Sequence, residues 1–132
     1  MSVVYIWLLY KYYLFLHSDP TTLPRHKQLI KAFGVLQMNY NLLWYHLNVS
    51  KVLPLLLDKS IFSESLKKEV ESYGHRCGQN AVIINALFTA EHLPEGLLII
   101  CDALQTIPGK EYIAQHILRG IVSVLSVILI SM

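Results

Sequence analysis

The chain has 132 residues, of which 54% are hydrophobic and 15% are charged, and its formal net charge is +2. This length is enough for one domain with a single core, and the charge is too small to indicate a nucleic-acid-binding protein. The two cysteines, Cys77 and Cys101, have neither a disulfide-framework spacing nor a zinc-site spacing, so we expect free thiols in a reducing compartment.

Residues 1–16 are strongly apolar and aromatic, and residues 1–30 form a predicted N-terminal extension. The apolar run has no basic start and no cleavage site of small residues, it contains Lys11, and it is shorter than the ~20 residues that span a bilayer. Pro20 and Pro24 then interrupt any helix. Three interpretations stay open: an interfacial membrane anchor, a docking segment, and sequence outside the folded unit.

Apolar residues recur at intervals of three and four between residues 32 and 119, which is typical of helices. The first predicted helix spans residues 32–47, or starts a turn or two earlier, after Pro24. The second begins after Asn48, whose side chain we expect to cap it. Pro54 should lie early in this helix or kink it.

Four more helices follow in the predicted order. The third opens at Ser63 and stops at Gly74, and the fourth spans about residues 79–90. The fifth begins at Pro94, a favourable first helical position, and runs to about Gln105. The sixth starts near residue 110. Six short helices with short connections predict a compact antiparallel all-α bundle over residues 31–119.

Residues 120–132 are uncharged and rich in β-branched side chains. This C-terminal tail is too short to cross a bilayer as a straight helix by itself, although joining it to the preceding helix would lengthen it. A tail anchor and a long final helix, packed on the bundle or on the N-terminal segment, remain two open interpretations.

Four segments of the predicted bundle carry a family resemblance. Residues 39–47 combine an asparagine with apolar residues at four-residue steps, and residues 52–62 contain paired leucines that end on an acid. Residues 94–104 run from a proline to an Asp-Ala-Leu triplet, and residues 109–114 read Gly-Lys-Glu-Tyr-Ile-Ala. In this order and spacing the chain resembles the caspase recruitment domain of the death-fold superfamily, and most of all the N-terminal domain of initiator caspases.

The resemblance implies a six-helix antiparallel bundle of Greek-key type, here with apolar extensions at both ends. It implies a homotypic interaction module that regulates or recruits an initiator caspase in apoptosis or innate-immune signalling. The expected partner is another caspase recruitment domain, in a caspase or in an apoptosome- or inflammasome-type platform, and self-association is a further expectation. We expect a cytoplasmic location. The alternative is a small membrane-associated protein anchored by its apolar termini.

The chain departs from the family pattern in three respects. Leu97 and Ile100 replace aromatic residues of the fifth helix. The segment 32–47 lacks lysine and arginine, so only Lys27 and Lys31, just upstream, are available for part of a basic face there. No caspase catalytic segment is present, so a truncated caspase prodomain or a recruitment-domain-only regulator fits better than a protease.

The predicted partner-binding residues are mostly charged and are concentrated between the end of the second helix and the start of the fourth. They are Asp58, Glu64, Glu69, Glu71, Arg76, Lys67, Lys68 and Trp44. The two lysines can instead pair with neighbouring glutamates within their own helix. The tryptophan is either an exposed hot spot or a core residue. An acidic binding side is the favoured expectation.

No pattern in the sequence indicates catalysis, a metal site or a cofactor. The six histidines are scattered without the spacing of metal ligands, and we expect them at the surface or at helix caps. Cys101 lies in an apolar run and is predicted to be a buried structural thiol. Asn48-Val49-Ser50 matches a glycosylation acceptor, but we interpret it as a helix cap.

Overall fold

The computed structural model describes residues 3–17 and 24–130, without the side chains of residues 122–130. These residues form eight α-helices and no β-strand, which confirms the predicted all-α class. The helices are α1 (Val3–Leu16), α2 (Arg25–Met38), α3 (Tyr40–His46), α4 (Val49–Asp58), α5 (Glu64–Glu71), α6 (Arg76–Phe88), α7 (Leu93–Gln105) and α8 (Glu111–Ile130).

Helix α1 packs on the bundle through one of its sides. Tyr5, Leu8, Tyr12 and Phe15 recur at intervals of three and four and are fully buried in the common core. The hydroxyl of Tyr5 donates a hydrogen bond to Asp102 Oδ1 at 2.6 Å, and the hydroxyl of Tyr12 donates to the carbonyl oxygen of Pro94. Since these two acceptors lie towards opposite ends of α7, α1 runs antiparallel to α7, and it also packs along α8.

The segment predicted as one helix over residues 32–47 is two helices, α2 and α3, separated at Asn39. The earlier start after Pro24 is confirmed, because α2 begins at Arg25. Asn39 leaves the helical conformation, with φ −104° and ψ 12°, and its Nδ2 donates to the Val35 carbonyl oxygen at 2.8 Å. A short amide side chain that bonds to the preceding turn competes with the helix, and continuity was therefore a wrong prediction.

The starts of α4 and α5 test the predicted cap at Asn48 and the predicted helix start at Ser63. Helix α4 begins directly after Asn48, but Asn48 Oδ1 accepts from the Ser50 hydroxyl and not from a helix N–H, so its capping role was wrong. Helix α5 starts where it was predicted, directly after Ser63, whose Oγ accepts from the Leu66 N–H at 3.4 Å and caps the helix. Pro54 lies inside α4 with an exposed ring. Helix α5 ends at Glu71, earlier than the predicted stop at Gly74.

The last three helices lie close to their predicted positions. Helix α6 begins at Arg76, earlier than predicted, because the Nδ1 atom of His75 accepts from the Gly78 N–H at 2.9 Å and caps the helix there. Helix α7 starts one residue before Pro94 and ends at Gln105, as predicted. Helix α8 starts at Glu111, and the tail continues it as one helix to Ile130.

Helix α7 lies at the centre of the bundle and packs against α2, α4, α6 and α8. Its buried residues are Leu93, Pro94, Gly96, Leu97, Ile100, Cys101, Ala103 and Leu104. A side chain at Gly96 would approach a methyl group of Leu87 to 2.8 Å, so the glycine permits close contact between α7 and α6. Cys101 is buried with a free thiol, as predicted.

Among the described residues, no helix has both the length and the apolarity to cross a membrane.

Candidate protein-interaction surfaces

Four carboxylates form an acidic segment, which we define as Asp58, Glu64, Glu69 and Glu71. Asp58 is the last residue of α4, and the other three lie on α5. All four side chains are exposed to solvent. The connection between α4 and α5 is short and hydrogen bonded, because the N–H groups of residues 61 and 62 both donate to the Leu56 carbonyl oxygen, at 2.9 and 3.3 Å. The acidic segment is therefore carried on an anchored turn and a capped helix.

The lysines of α5 do not neutralise these carboxylates. Lys68 is exposed and Lys67 is half-buried. In the described part of the chain the structure shows one ion pair, between Arg25 and Glu95 at 2.8 Å. The alternative in which Lys67 and Lys68 pair with glutamates on their own helix is not formed, so the carboxylates remain available to an external cation.

Arg76 is the exposed first residue of α6, five residues after Glu71 of the acidic segment, and it carries the opposite charge. It lines a cleft of about 280 Å³, which we call the basic cleft, together with Lys110 and residues from the start of α4. The full lining is Leu47, Asn48, Val49, Ser50, Arg76, Gln79 and Lys110, without a carboxylate. Lys110 Nζ donates to the His46 carbonyl oxygen at 3.0 Å, which holds the ammonium group in place. Because helix N-termini carry partial positive charge, the cleft favours an anionic group.

The sequence did not reveal Lys110 as a neighbour of Arg76. Its position after Pro108-Gly109 predicts a helix start, and that part is correct. The two residues are 34 positions apart in the chain, and only the packing of the helices brings both side chains to one cleft.

Trp44 is half-buried on α3 and packs against the core. Its ring meets that of Tyr45 edge to face, with 5.0 Å between the ring centres. The carbonyl oxygen of Trp44 accepts a hydrogen bond from Nδ2 of Asn80, a fully buried residue of α6, at 2.9 Å. Tyr45 is exposed, so the two rings present an aromatic patch at the surface. The hydrogen bond from buried Asn80 holds the backbone at Trp44 in place.

The first helix of the segment 31–119 is more basic than residues 32–47 suggest. Since α2 begins at Arg25, both Lys27 and Lys31 lie on this helix, and both are exposed. Arg25 itself is engaged, because its guanidinium donates to Glu95 and to Gln28, at 2.8 and 2.9 Å. Arg25 therefore joins the starts of α2 and α7, and the two lysines remain at the surface.

The two free thiols differ in exposure, since Cys77 is half-buried and Cys101 is buried. Burial, with a smaller contribution from neighbouring Asp102, raises the pKa of the Cys101 thiol well above its usual range, so this thiol stays protonated. His75 caps α6, as expected for the histidines in general. The region the structure describes has no group of three or more His, Cys, Asp or Glu side chains arranged to hold a metal ion.

Comparison with known protein families, curated proteins and solved structures finds no match to this chain. The structural observations that bear on function are therefore the helical bundle and its exposed charged groups.

Proposed function

We propose that the chain is a caspase-recruitment-like module of the death-fold type, which associates with another such domain and thereby recruits or regulates an initiator caspase. The proposal is supported by the ordered residue matches across residues 31–119. It is supported as well by helix number, since α2 and α3 taken as one bent helix make six helices after α1. The Greek-key arrangement and the cytoplasmic location belong to the same proposal.

The observation that carries the proposal is the acidic segment, whose exposed carboxylates have no ion-pair partner among the described residues. A rigid surface of this kind recognises a basic face on a partner domain. Exposed ion pairs each contribute only about 0.2–1 kcal/mol, so the charges select the partner and speed its encounter more than they add affinity. The aromatic patch of Trp44 and Tyr45 is suited to supply apolar contact area to such an interface.

The basic cleft gives the same module a second charged binding surface, opposite in sign to the acidic segment. Arg76 and Lys110 would accept a carboxylate from a neighbouring domain, while the acidic segment engages the next one. Two unlike surfaces on one chain produce a head-to-tail contact, which forms rings or open assemblies instead of closed two-fold dimers. Self-association through the acidic segment and the basic cleft is part of the proposal.

Charge reversal in the acidic segment tests the proposal. The full chain is used to capture a panel of caspase recruitment domains, in parallel with the single variants Asp58→Lys and Glu64→Lys. We expect capture of at least one domain, a decrease of about tenfold in its affinity for each variant, and further weakening at high salt.

Glu91→Lys is the matched control, since Glu91 is an exposed acid in the connection between α6 and α7, outside the acidic segment. Its capture should equal that of the unmodified chain, and helical circular dichroism should be the same for all variants. If no recruitment domain is captured, the proposed function is wrong. If Asp58→Lys and Glu64→Lys bind as well as the control, the acidic segment is not the binding surface.

A further inference from the structure

Helix α1 is apolar around its entire circumference, yet the bundle covers only one side of it. The opposite side, which we call the outer face, consists of large exposed side chains: Val3, Val4, Ile6, Trp7, Tyr10 and Tyr13. Trp7 is 51% exposed and Tyr10 is 59% exposed. A helix on the surface of a water-soluble domain normally turns polar residues outward. The outer face of α1 is therefore suited to a second apolar surface.

The chemistry of the outer face matches the boundary between lipid and water. Tryptophan and tyrosine combine an apolar ring with a polar group, and both are enriched at the headgroup level of membranes. Helix α1 contains no carboxylate that would have to approach the lipid. Its one charged residue is Lys11, whose Nζ lies 5.6 Å from the centre of the Trp7 ring. A lysine stem of this kind can follow an apolar surface while its ammonium group remains in water.

One carboxylate, Asp102, contacts α1 on its inner side through Tyr5, and the charged groups beside the other end of α1 favour an anionic surface. Gln28 Nε2 donates to the Phe15 carbonyl oxygen at 3.1 Å, which places the first turns of α2 beside the end of α1. The exposed Lys27 and Lys31 are on those turns. The described residues from 3 to 33 contain no acid, and the sequence adds only Asp19 between the two helices. Basic residues near a membrane surface each contribute roughly 1 kcal/mol of attraction to anionic lipids.

We propose that the outer face of α1 lies in the headgroup region of an anionic bilayer, with the bundle on the aqueous side. Helix α1 has 14 residues and is therefore about 21 Å long, which is shorter than the hydrocarbon layer. Its inner side is occupied by the core, so α1 lies along the surface as an interfacial helix. The ligand is lipid, so this inference goes beyond the association with a second recruitment domain.

A second copy of the chain is the competing occupant of the outer face. A two-fold contact through this face would bring α1 of each copy against the same surface of the other. Each helix supplies Lys11 and neither supplies an acid, so the contact would bring like charges together without a counter-charge. Anionic headgroups provide the counter-charge that a second copy lacks.

Co-sedimentation of the full chain with vesicles tests the proposal. The vesicles are made of phosphatidylcholine alone or of phosphatidylcholine with phosphatidylserine. The test variant is the triple substitution Ile6→Ser/Trp7→Ser/Tyr10→Ser on the outer face. The matched control is Ile30→Ser/Met38→Ser/Tyr112→Ser, which removes three large apolar side chains that are each more than half exposed from α2 and α8. Circular dichroism and thermal unfolding verify that both variants keep the fold.

We expect the chain to sediment with anionic vesicles, the outer-face variant to lose about tenfold or more in partitioning, and the control to retain it. Binding should be weaker to phosphatidylcholine alone. The proposal is overturned if the chain does not sediment, or if the outer-face variant sediments as well as the control. Equal binding to both vesicle types would overturn the role of the anionic headgroup.

A fluorescence measurement gives an independent readout. The chain has two tryptophans, so Trp44→Phe leaves Trp7 as the only one. Its emission should shift to the blue on addition of anionic vesicles. A quencher placed near the lipid headgroups should reduce the Trp7 fluorescence more than a quencher placed deep in the hydrocarbon layer. A concentration-dependent dimer that the outer-face variant abolishes, without vesicle binding, would assign the face to a second copy. No recruitment domain is present in either assay, so failure of the proposed function leaves these outcomes unaffected.

Discussion

Asn39 is the buried side chain that joins the bend between α2 and α3 to the last helix. Its Nδ2 donates to Val35, and its Oδ1 lies 2.7 Å from Nδ1 of His116 on α8. It is 2% exposed, so both groups are removed from water. A buried polar group is costly once its partner is lost, and the asparagine therefore has a structural role in the bundle.

The substitution Asn39→Ala should lower the free energy of unfolding by about 1–3 kcal/mol, because it removes two hydrogen bonds that each contribute about 0.5–1.5 kcal/mol. Urea unfolding followed by circular dichroism measures this change. Asn41→Ala is the control, since Asn41 is exposed on the following helix, and its effect should stay within about 0.5 kcal/mol. Equal stability of the two variants would contradict the assigned role.

Capping residues illustrate how single side chains can be predicted only in part. Asn48 and Ser63 belong to the residue types that favour N-caps, yet only Ser63 bonds to its helix. Asn48 bonds to Ser50 instead, and the choice between these two local hydrogen bonds depends on geometry that the residue types do not specify. The histidines were expected at the surface or at helix caps without a choice between the two, and the structure assigns the cap of α6 to His75.

Among the helices, α1 shows most clearly how packing changes the interpretation of an apolar segment. Its sequence allowed an interfacial membrane anchor, a docking segment or sequence outside the folded unit. The inner side is fully buried against α7 and α8, with two tyrosine hydroxyls bonded to α7. Burial of large side chains in the common core couples α1 to the stability of the bundle.

Removing side-chain volume from the inner side of α1 should destabilise the entire fold. Leu8→Ala creates a cavity at a fully buried position and should lower the free energy of unfolding by about 2–5 kcal/mol. Thermal or urea unfolding measures the loss. Ile6→Ala, on the exposed side of the same helix, should have a much smaller effect. Comparable losses for both variants would mean that α1 is not docked as described.

The bundle and α1 are expected to unfold together, since α1 shares the core with the other helices. The two tryptophans allow a direct measurement, because Trp7 lies on α1 and Trp44 lies on α3. Trp44→Phe and Trp7→Phe each leave one reporter. In urea, the two fluorescence transitions should have the same midpoint within error, as for one cooperative unit. An earlier transition at Trp7 would show that α1 detaches before the bundle unfolds.

The amino-acid sequence alone was sufficient for the all-α class and for the approximate positions of the helices between residues 25 and 119. Apolar spacing, prolines and glycines are local signals, and they act on the backbone within a few residues. This is why the range of α7 was predicted nearly to the residue, and why the start of α4 was located although its cap was not.

Long-range contacts were decided only by the tertiary structure. Three features join residues far apart in the chain. They are the buried side of α1, the hydrogen bond between Asn39 and His116, and the cleft shared by Arg76 and Lys110. Helix packing depends on which surfaces fit together, and a pattern along one segment does not contain that information. The same packing leaves the outer face of α1 exposed. The apolar character of this helix could be read from its sequence, whereas the side that stays exposed was decided by the packing of the helices.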